Sequence, residues 1–284
     1  MRIQSKLHIP HGRRFVKYAM PCALAVLAPL FAAVTTSAGA EIRVAPHRAA
    51  YTLELKRSAR DSSITDAVGG MIYSWGETCD GWTVDQRFIL TVTQGDGAVL
   101  KLTAVSSTWE SKDGKRFRFN IKRERNDAEI QKIRGEARIE PGKAGLVSYE
   151  SPDAKDIPLP KGTVFPTMHT LRLMEAGIAG KRTDRQLVFD GSEVEPPAPV
   201  SAFILPRRNP ENPAKALQMP LGPQPVRLYN LAFFSPESAA PEPDFEMSIE
   251  LQDNGIAPSL VLDYGEYAVR GTLVKIEALE KPDC

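Results

Sequence analysis

The chain has 284 residues, of which 42% are hydrophobic and 25% are charged, and its formal net charge is +1. This composition is typical of a globular protein and excludes a disordered, collagen-like or coiled-coil chain. A charge so close to zero, with no basic run beside aromatic residues, gives no sign of nucleic-acid binding. The length allows one large domain or two smaller ones.

The first forty residues have the pattern of a secretory signal peptide. Five basic residues lie ahead of an apolar run over 18–34, and Ala38-Gly39-Ala40 follows it. A basic stretch, a short apolar stretch and an A-x-A ending are the three parts of a cleavable leader. A membrane anchor is the alternative, but Pro21 and Pro29 interrupt the run, which is short for the roughly 20 residues that span a bilayer. We predict an exported protein, cleaved after Ala40, with no membrane span after cleavage.

Removal of this leader changes both the charge and the cysteine count. It leaves 31 basic and 35 acidic residues, which is a formal charge of −4. Such a chain has no electrostatic attraction to anionic lipid or DNA. Two cysteines remain, Cys79 and Cys284. In an exported chain they are most simply one disulfide, and two free thiols are the alternative.

Most of the sequence after residue 40 alternates apolar and polar residues with a period of two. Clear runs begin at Ala49, Phe117, Ile133 and Phe245, and another lies over 260–264. Such alternation predicts strands with one buried and one wet face, which is typical of antiparallel sheet.

Pairs and triplets of turn-forming residues separate these runs. They are Gly69-Gly70, Asp80-Gly81, Gly95-Asp96-Gly97, Asp113-Gly114, Asn126-Asp127, Pro141-Gly142 and Asn254-Gly255. Asn254-Gly255, between two alternating runs, is the strongest hairpin signal. Strands in this sequence order predict a meander that curls or closes on itself, because long open edges invite aggregation.

One segment has helical rather than strand periodicity. Residues 167–179 follow Pro166 and place apolar side chains at helical spacing. These side chains are Met168, Leu171, Met174 and Ile178. The pattern predicts a short helix whose apolar stripe packs against the concave face of a curved sheet.

Residues 196–225 contain nine prolines. Few side chains there could build a core, so we predict a long excursion with a short strand over 200–205 inside it. A linker between two domains is the alternative. Because the alternation is alike on both sides, we favour a single domain over 41–284.

The sequence carries no catalytic or cofactor motif: G-x-G-x-x-G, the P-loop, H-E-x-x-H and G-x-S-x-G are all absent. The exported chain keeps two histidines, His47 and His169, in different elements and without metal-ligand spacing. We interpret both as structural, and we predict no catalytic residue, metal or cofactor. Carboxylates are plentiful, so a hydrolase with two facing acids is an alternative that the sequence leaves open.

Seven aromatic residues could line an apolar cavity, although membership of an ordinary core is the simpler interpretation. They are Trp75, Trp82, Trp109, Phe117, Phe119, Tyr264 and Tyr267.

Several short stretches form a specific combination along the exported chain. They are Ala45–Tyr51, Cys79–Trp82, Leu159–Thr167, Phe189–Glu193, Asn254–Ile256, Asp263–Tyr267 and the terminal Cys284. Together they resemble the EipB family of alphaproteobacterial cell-envelope integrity proteins. The residues that this resemblance marks as structurally important are Pro46, His47, Arg48, Gly162, Pro166, His169, Asp190, Gly191, Asn254, Gly255, Asp263 and Tyr264.

The resemblance implies a periplasmic monomer with a mainly β fold. The expected architecture is a single large antiparallel β-spiral, or broken β-barrel, with one short helix packed against the concave face. The resemblance also implies a disulfide between Cys79 and Cys284. It implies a role in maintaining the cell envelope, with no established enzymatic activity.

Three hypotheses for the function follow. The first is a non-enzymatic protein that binds a periplasmic envelope protein or an apolar ligand, such as a lipid or a lipoprotein acyl chain. The second is a hydrolase of envelope polymer. The third is a module that docks a partner through a sheet edge or through the proline-rich excursion. The absence of a nucleophile–base signature favours the first.

Overall fold

In the computed structural model, the described residues are 42–140, 142–209, 224–236 and 241–284. They form fifteen strands and one helix. In chain order these are β1 (His47–Ser58), β2 (Ile64–Glu77), β3 (Gly81–Gln94), β4 (Val99–Ser111), β5 (Arg116–Arg125), β6 (Ala128–Arg138), β7 (Gly145–Ser151), β8 (Lys155–Leu159), β9 (Thr163–Val164), α1 (Pro166–Ile178), β10 (Thr183–Val188), β11 (Ala198–Ile204), β12 (Val226–Phe233), β13 (Phe245–Gln252), β14 (Ser259–Asp263) and β15 (Tyr267–Ala278).

All these strands belong to one sheet, and the chain enters that sheet in its middle. β1 pairs with β2 on one side and with β15 on the other. Strands β2 to β8 lead outward to one edge, and β9 to β15 return from the other edge to β1. The edge strands β8 and β9 are connected through residues 160–162 but do not pair with each other in the described sheet. The result is a barrel with an unsealed seam, and the predicted broken barrel is confirmed.

The alternating runs form the predicted strands, and their apolar side chains point inward. Tyr51 and Leu53 contribute to one core cluster beneath β1, β2, β3 and β15. A second cluster lies between α1 and strands β10 to β13. The third is aromatic and lies beneath β5 to β8, where the rings of Phe117 and Phe165 stack with centroids 5.2 Å apart.

Gly69 and Gly70 lie inside β2, so the prediction of a turn at this pair is wrong. A Cβ atom on Gly69 would lie 2.0 Å from the carbonyl oxygen of Ile89 on β3. A Cβ atom on Gly70 would lie 3.4 Å from the carbonyl oxygen of Tyr51. Glycine at position 69 therefore allows a close backbone approach within the sheet, and a glycine pair alone does not distinguish this role from a turn.

The tightest hairpin is at Asn126-Asp127, not at Asn254-Gly255. Asn126 and Asp127 have φ values of 50° and 64°, and Arg125 pairs directly with Ala128. Positive φ at both central residues is the geometry of a two-residue hairpin turn. Asn254-Gly255 also connects two paired strands, as predicted, but within a longer loop over 253–258.

The helix begins and ends one residue earlier than predicted, with Pro166 in its first turn. The predicted apolar stripe is wrong in part: of its four members only Met174 is buried, and Ile178 is 38% exposed. The buried side includes the small residues Ala176 and Gly177. A Cβ atom on Gly177 would lie 2.6 Å from the Tyr229 hydroxyl oxygen. Because small residues allow this close contact with β12, a count of large apolar side chains does not identify the packed face.

The strand predicted inside the proline-rich excursion is β11, and it is a regular member of the sheet. It pairs with β10 on one side and with β12 on the other. Residues 210–223 lie outside the described residues, as do the predicted leader at 1–40 and Pro141. Within the described ranges, no helix combines the length and the apolar character that crossing a membrane requires.

Candidate functional site

The two cysteines that remain after the predicted cleavage lie together. Cys79, between β2 and β3, and the terminal Cys284 form a disulfide with their Cα atoms 5.8 Å apart. The bond spans 205 positions of the sequence. It therefore ties the last residue of the chain to the β2–β3 connection.

Residues from both ends of the sequence meet where β1 begins. The Ala45 N–H donates to the Asn254 carbonyl oxygen at 2.9 Å, and the Leu279 N–H donates to the Pro46 carbonyl oxygen at 2.9 Å. His47 is 1% exposed, and its Nδ1 lies 2.7 Å from the Ala45 carbonyl oxygen. Burial lowers the pKa of His47. These contacts place Pro46, His47 and Asn254 where the start of β1 is joined to the β13–β14 loop and to the end of β15.

Three other family-motif residues, Arg48, Gly255 and Gly162, differ in their surroundings. Arg48 is exposed on the opposite face of β1 from His47. A Cβ atom on Gly255, which has a φ of 85°, would lie 3.0 Å from the Trp75 ring. Gly162 has a φ of 91°, so the link between β8 and β9 needs a left-handed residue at this point.

A buried carboxylate from a distant strand caps α1, and no residue pattern near the helix indicates it. Glu110 on β4 is 2% exposed. Its Oε2 accepts from the Thr167 N–H at 2.7 Å, and its Oε1 accepts from the Met168 N–H at 2.9 Å. A negative charge is favourable at the N-terminus of a helix. Burial raises the pKa of Glu110 to about 7, although these hydrogen bonds act in the opposite direction.

His169, in the first turns of α1, is 6% exposed. Burial lowers its pKa to about 4, against the opposing influence of the Asp184 carboxylate. The ring is therefore neutral at pH 7. Among the described residues, no three His, Cys, Asp or Glu side chains form a group that could hold a metal ion.

Three further family-motif residues, Asp190, Gly191 and Asp263, lie at two turns. Asp190 accepts from the Ser192 N–H at 2.8 Å, and a Cβ atom on Gly191 would lie 2.6 Å from the Phe119 ring. Asp263 accepts from Arg57 Nη2 at 2.7 Å. These turns close the aromatic core cluster and the β14–β15 connection, respectively.

Four aromatic side chains, which we call the aromatic row, lie side by side on three strands, β12, β13 and β15, and on the β14–β15 connection. The ring centroids are 5.5 Å apart for Phe233 and Phe245, 5.3 Å for Phe245 and Tyr264, and 5.1 Å for Tyr264 and Tyr267. Tyr264 is 39% exposed, and the other three are half-buried. α1 packs near the beginning of β12, at Tyr229, whereas Phe233 ends that strand. The aromatic row therefore lies at the end of the barrel remote from α1.

Aliphatic side chains continue the aromatic row around this end. These side chains point inward and are half-buried; they are Leu55, Leu100, Leu102, Met247 and Leu262. Together with the aromatic row, they form a surface that we call the mouth. Leu100 and Leu262 pack against the first core cluster, and Met247 against the second. Deeper inward side chains such as Leu53, Leu90 and Val269 are fully buried. The apolar interior thus opens to solvent at the mouth.

A polar network lies on the inner face of β5 and β6, beside the mouth. Arg123 pairs in register with Ala104, two residues beyond Leu102 of the mouth. Arg123 donates to Gln131 and to Glu193, and Gln131 Nε2 donates to Glu193 Oε2 at 2.7 Å. This end of the barrel therefore combines a partly exposed apolar lining with charged groups on one side.

Sequence reasoning identified part of this lining. Of the seven aromatic residues considered, Tyr264 and Tyr267 belong to the mouth, whereas Phe117, Phe119 and Trp75 are buried core. Trp109 contacts the guanidinium groups of Arg116 and Arg118, at 5.3 and 5.0 Å from its ring centroid. Phe233 and Phe245 were missed because only the register of β12 and β13 places them side by side.

Comparison with known proteins agrees with this architecture. The sequence profile described as EipB-like matches residues 38–280. The chain belongs to the EipB-like family. It is 31% identical over 245 residues to the cell envelope integrity protein EipB of Brucella abortus (strain 2308), covering 85% of this chain and 86% of that protein. The predicted family is therefore confirmed.

A solved structure supports the same conclusion for the fold of this family member. It is the crystal structure of a β-barrel-like protein of the domain of unknown function DUF1849, also from Brucella abortus. The two structures superpose with a TM-score of 0.79 at 28% identity, covering 84% of this chain and 100% of the other.

Proposed function

We propose that this chain is an exported, periplasmic protein that maintains cell-envelope integrity by binding an apolar chain in its mouth. The role in the envelope rests on the relative from Brucella abortus, which is named for it. The observation that carries the binding proposal is the partly exposed apolar lining of the mouth, continuous with the buried core. A contiguous apolar surface that remains exposed to water is typical of a binding site, because soluble proteins otherwise bury most of such surface.

The chemistry of the mouth favours a long, flexible apolar ligand with a polar end. The aromatic row presents four neighbouring rings along three strands and the β14–β15 connection. The Arg123–Gln131–Glu193 network places polar groups on the side of the mouth near Leu102. A lipid or a lipoprotein acyl chain has such a long apolar part and a polar end. Burial of about ten methylene groups would contribute up to roughly 8 kcal/mol before the costs of ordering.

Two features support binding without catalysis. Glu110, whose raised pKa would suit a general acid, lies buried with both carboxyl oxygens accepting from backbone N–H groups of α1. Glu193, near the mouth, is paired with Arg123. A hydrolase of envelope polymer needs a carboxyl that faces the substrate, so these pairings favour the binding role.

Native mass spectrometry of the protein purified from its own periplasm tests the proposal. We expect a co-purified species with the mass of a lipid or fatty acid, released by organic solvent. Repeated recovery of empty protein from the same compartment would contradict a carrier of apolar chains.

Two adjacent substitutions locate the binding site. Leu100 points into the mouth, whereas Val99, on the opposite face of β4, is 57% exposed. We expect Leu100→Asp to weaken binding of a fluorescent C16 fatty-acid analogue by about tenfold or more, with Val99→Asp unchanged. Tyr264→Ser, at a more exposed position, provides a second variant if Leu100→Asp does not fold. Equal affinity in all four proteins would place the ligand elsewhere.

A further inference from the structure

One edge of the sheet is open beside α1. β10 pairs with β11 at six positions but with β9 only at Leu187 and Val188. The Ile204 N–H donates to the Arg182 carbonyl oxygen at 2.8 Å. Because antiparallel bonds alternate along a strand, the N–H and C=O groups of Thr183 and Arg185 point away from β11. Within the described residues, no strand lies alongside them.

This open edge forms one wall of a groove of about 780 Å³. The opposite wall is the outer side of α1, with Glu175 and Ala179, and Gly162 lies at one end. An open strand edge facing a helix across a groove is the arrangement in which an extended peptide is bound as an added strand. The backbone of that peptide can satisfy the outward N–H and C=O groups of β10.

The other edge of the sheet lacks these properties. β8 contains Pro158, which has no N–H to donate. Proline on an edge strand discourages the addition of another strand. β10 has no proline, so the two sides of the seam are not equivalent.

The charges around the groove indicate the kind of peptide. Lys161, Lys181, Arg182 and Arg185 are exposed and form no ion pair with any described residue. Two acidic side chains, Glu175 and Asp184, line the same groove, and Asp184 already accepts from Gln186 Nε2 at 2.6 Å. The surroundings are therefore positive on balance. Such charges discourage a second copy of the same edge and favour an acidic strand.

We propose that the open edge of β10 and the facing side of α1 bind an extended, acidic segment of a partner protein as an additional strand. This goes beyond the binding of an apolar chain in the mouth and does not depend on it. The site and the mouth use different strands, so each can fail without the other.

The test is selection from a random peptide library, of about twelve residues per peptide, displayed on phage and panned against the oxidised protein. We expect enriched peptides to be rich in Asp and Glu and free of central proline. On binding, the amide hydrogen exchange of Thr183 and Arg185 should slow. A selection that enriches no peptide would overturn the proposal.

Substitutions in the groove test whether the selected peptides bind there. Arg185→Pro removes an outward N–H without removing a bond to β11, and Ala179→Trp fills the groove from the helix side. Each should weaken the selected peptides by about tenfold or more. Arg87→Gln, an exposed arginine on β3, serves as the charge-loss control and should bind as the wild type does.

Two comparisons separate this site from the mouth and from a general charge effect. Leu100→Asp should retain peptide binding, because the mouth is not involved. Glu175→Arg should strengthen binding of the acidic peptides. Selected peptides that bind Arg185→Pro and Ala179→Trp as tightly as the wild type would show that the edge of β10 is not the site.

Discussion

The cap of α1 by Glu110 predicts a specific dependence of stability on pH. The pKa of this carboxyl is about 7 in the folded protein, against 4.5 for an ordinary glutamate, and the largest cause is burial. The folded state therefore binds a proton more tightly than the unfolded state. The contribution of Glu110 to stability must therefore fall as pH rises from about 4.5 to about 7 and then stay level. A shift of this size corresponds to about 3 kcal/mol.

Glu110→Gln removes this titration while it keeps the shape of the side chain. The quantity to compare is the free energy of unfolding of the wild type minus that of the variant. We expect this difference to decrease by about 3 kcal/mol between pH 4.5 and pH 8. Urea denaturation followed by tryptophan fluorescence measures both proteins. Glu150→Gln, on an exposed side chain, is the control and should change stability by less than about 0.5 kcal/mol at each pH. A difference independent of pH would refute the reasoning, since the backbone hydrogen bonds would then fully offset burial.

Three further predictions concern the framework. Cys79→Ser should lower the free energy of unfolding by a few kcal/mol, which is less than the upper limit of about 5 kcal/mol set by chain entropy. An unchanged melting temperature would contradict this. The oxidised wild type should also migrate faster than the reduced form in electrophoresis. Gly69→Ala should cost at least about 2 kcal/mol in thermal unfolding, whereas Gly70→Ala should cost less than about 1; equal losses would argue against the close approach of β2 and β3. N-terminal sequencing of the exported protein should begin at Glu41, and an intact N-terminus would disprove cleavage.

The strands could be predicted from the sequence because each has one buried face. Tyr51 and Leu53 alternate with exposed residues, and that period of two survives in the fold. Gly69-Gly70 could not be assigned in the same way. A glycine pair is compatible with a turn and with a crowded strand, and only the position of Ile89 on the neighbouring strand decides between them.

The site was less accessible to sequence reasoning than the fold. Glu110 caps a helix that begins more than fifty positions later, so no local motif connects them. The mouth depends on register, which brings Phe233 beside Phe245 and Tyr264 beside Tyr267. The open edge of β10 depends on the short length of β9. Each of these features arises from contacts between distant segments, which composition and periodicity do not record.

The central claim is that the apolar lining of the mouth carries the role in the envelope. The most direct measurement is the detergent sensitivity of a strain that lacks the gene and expresses a variant at the wild-type level. We expect Val99→Asp to restore resistance and Leu100→Asp, with its disulfide formed and its circular dichroism unchanged, to leave the strain sensitive. Full restoration of resistance by Leu100→Asp would contradict the claim.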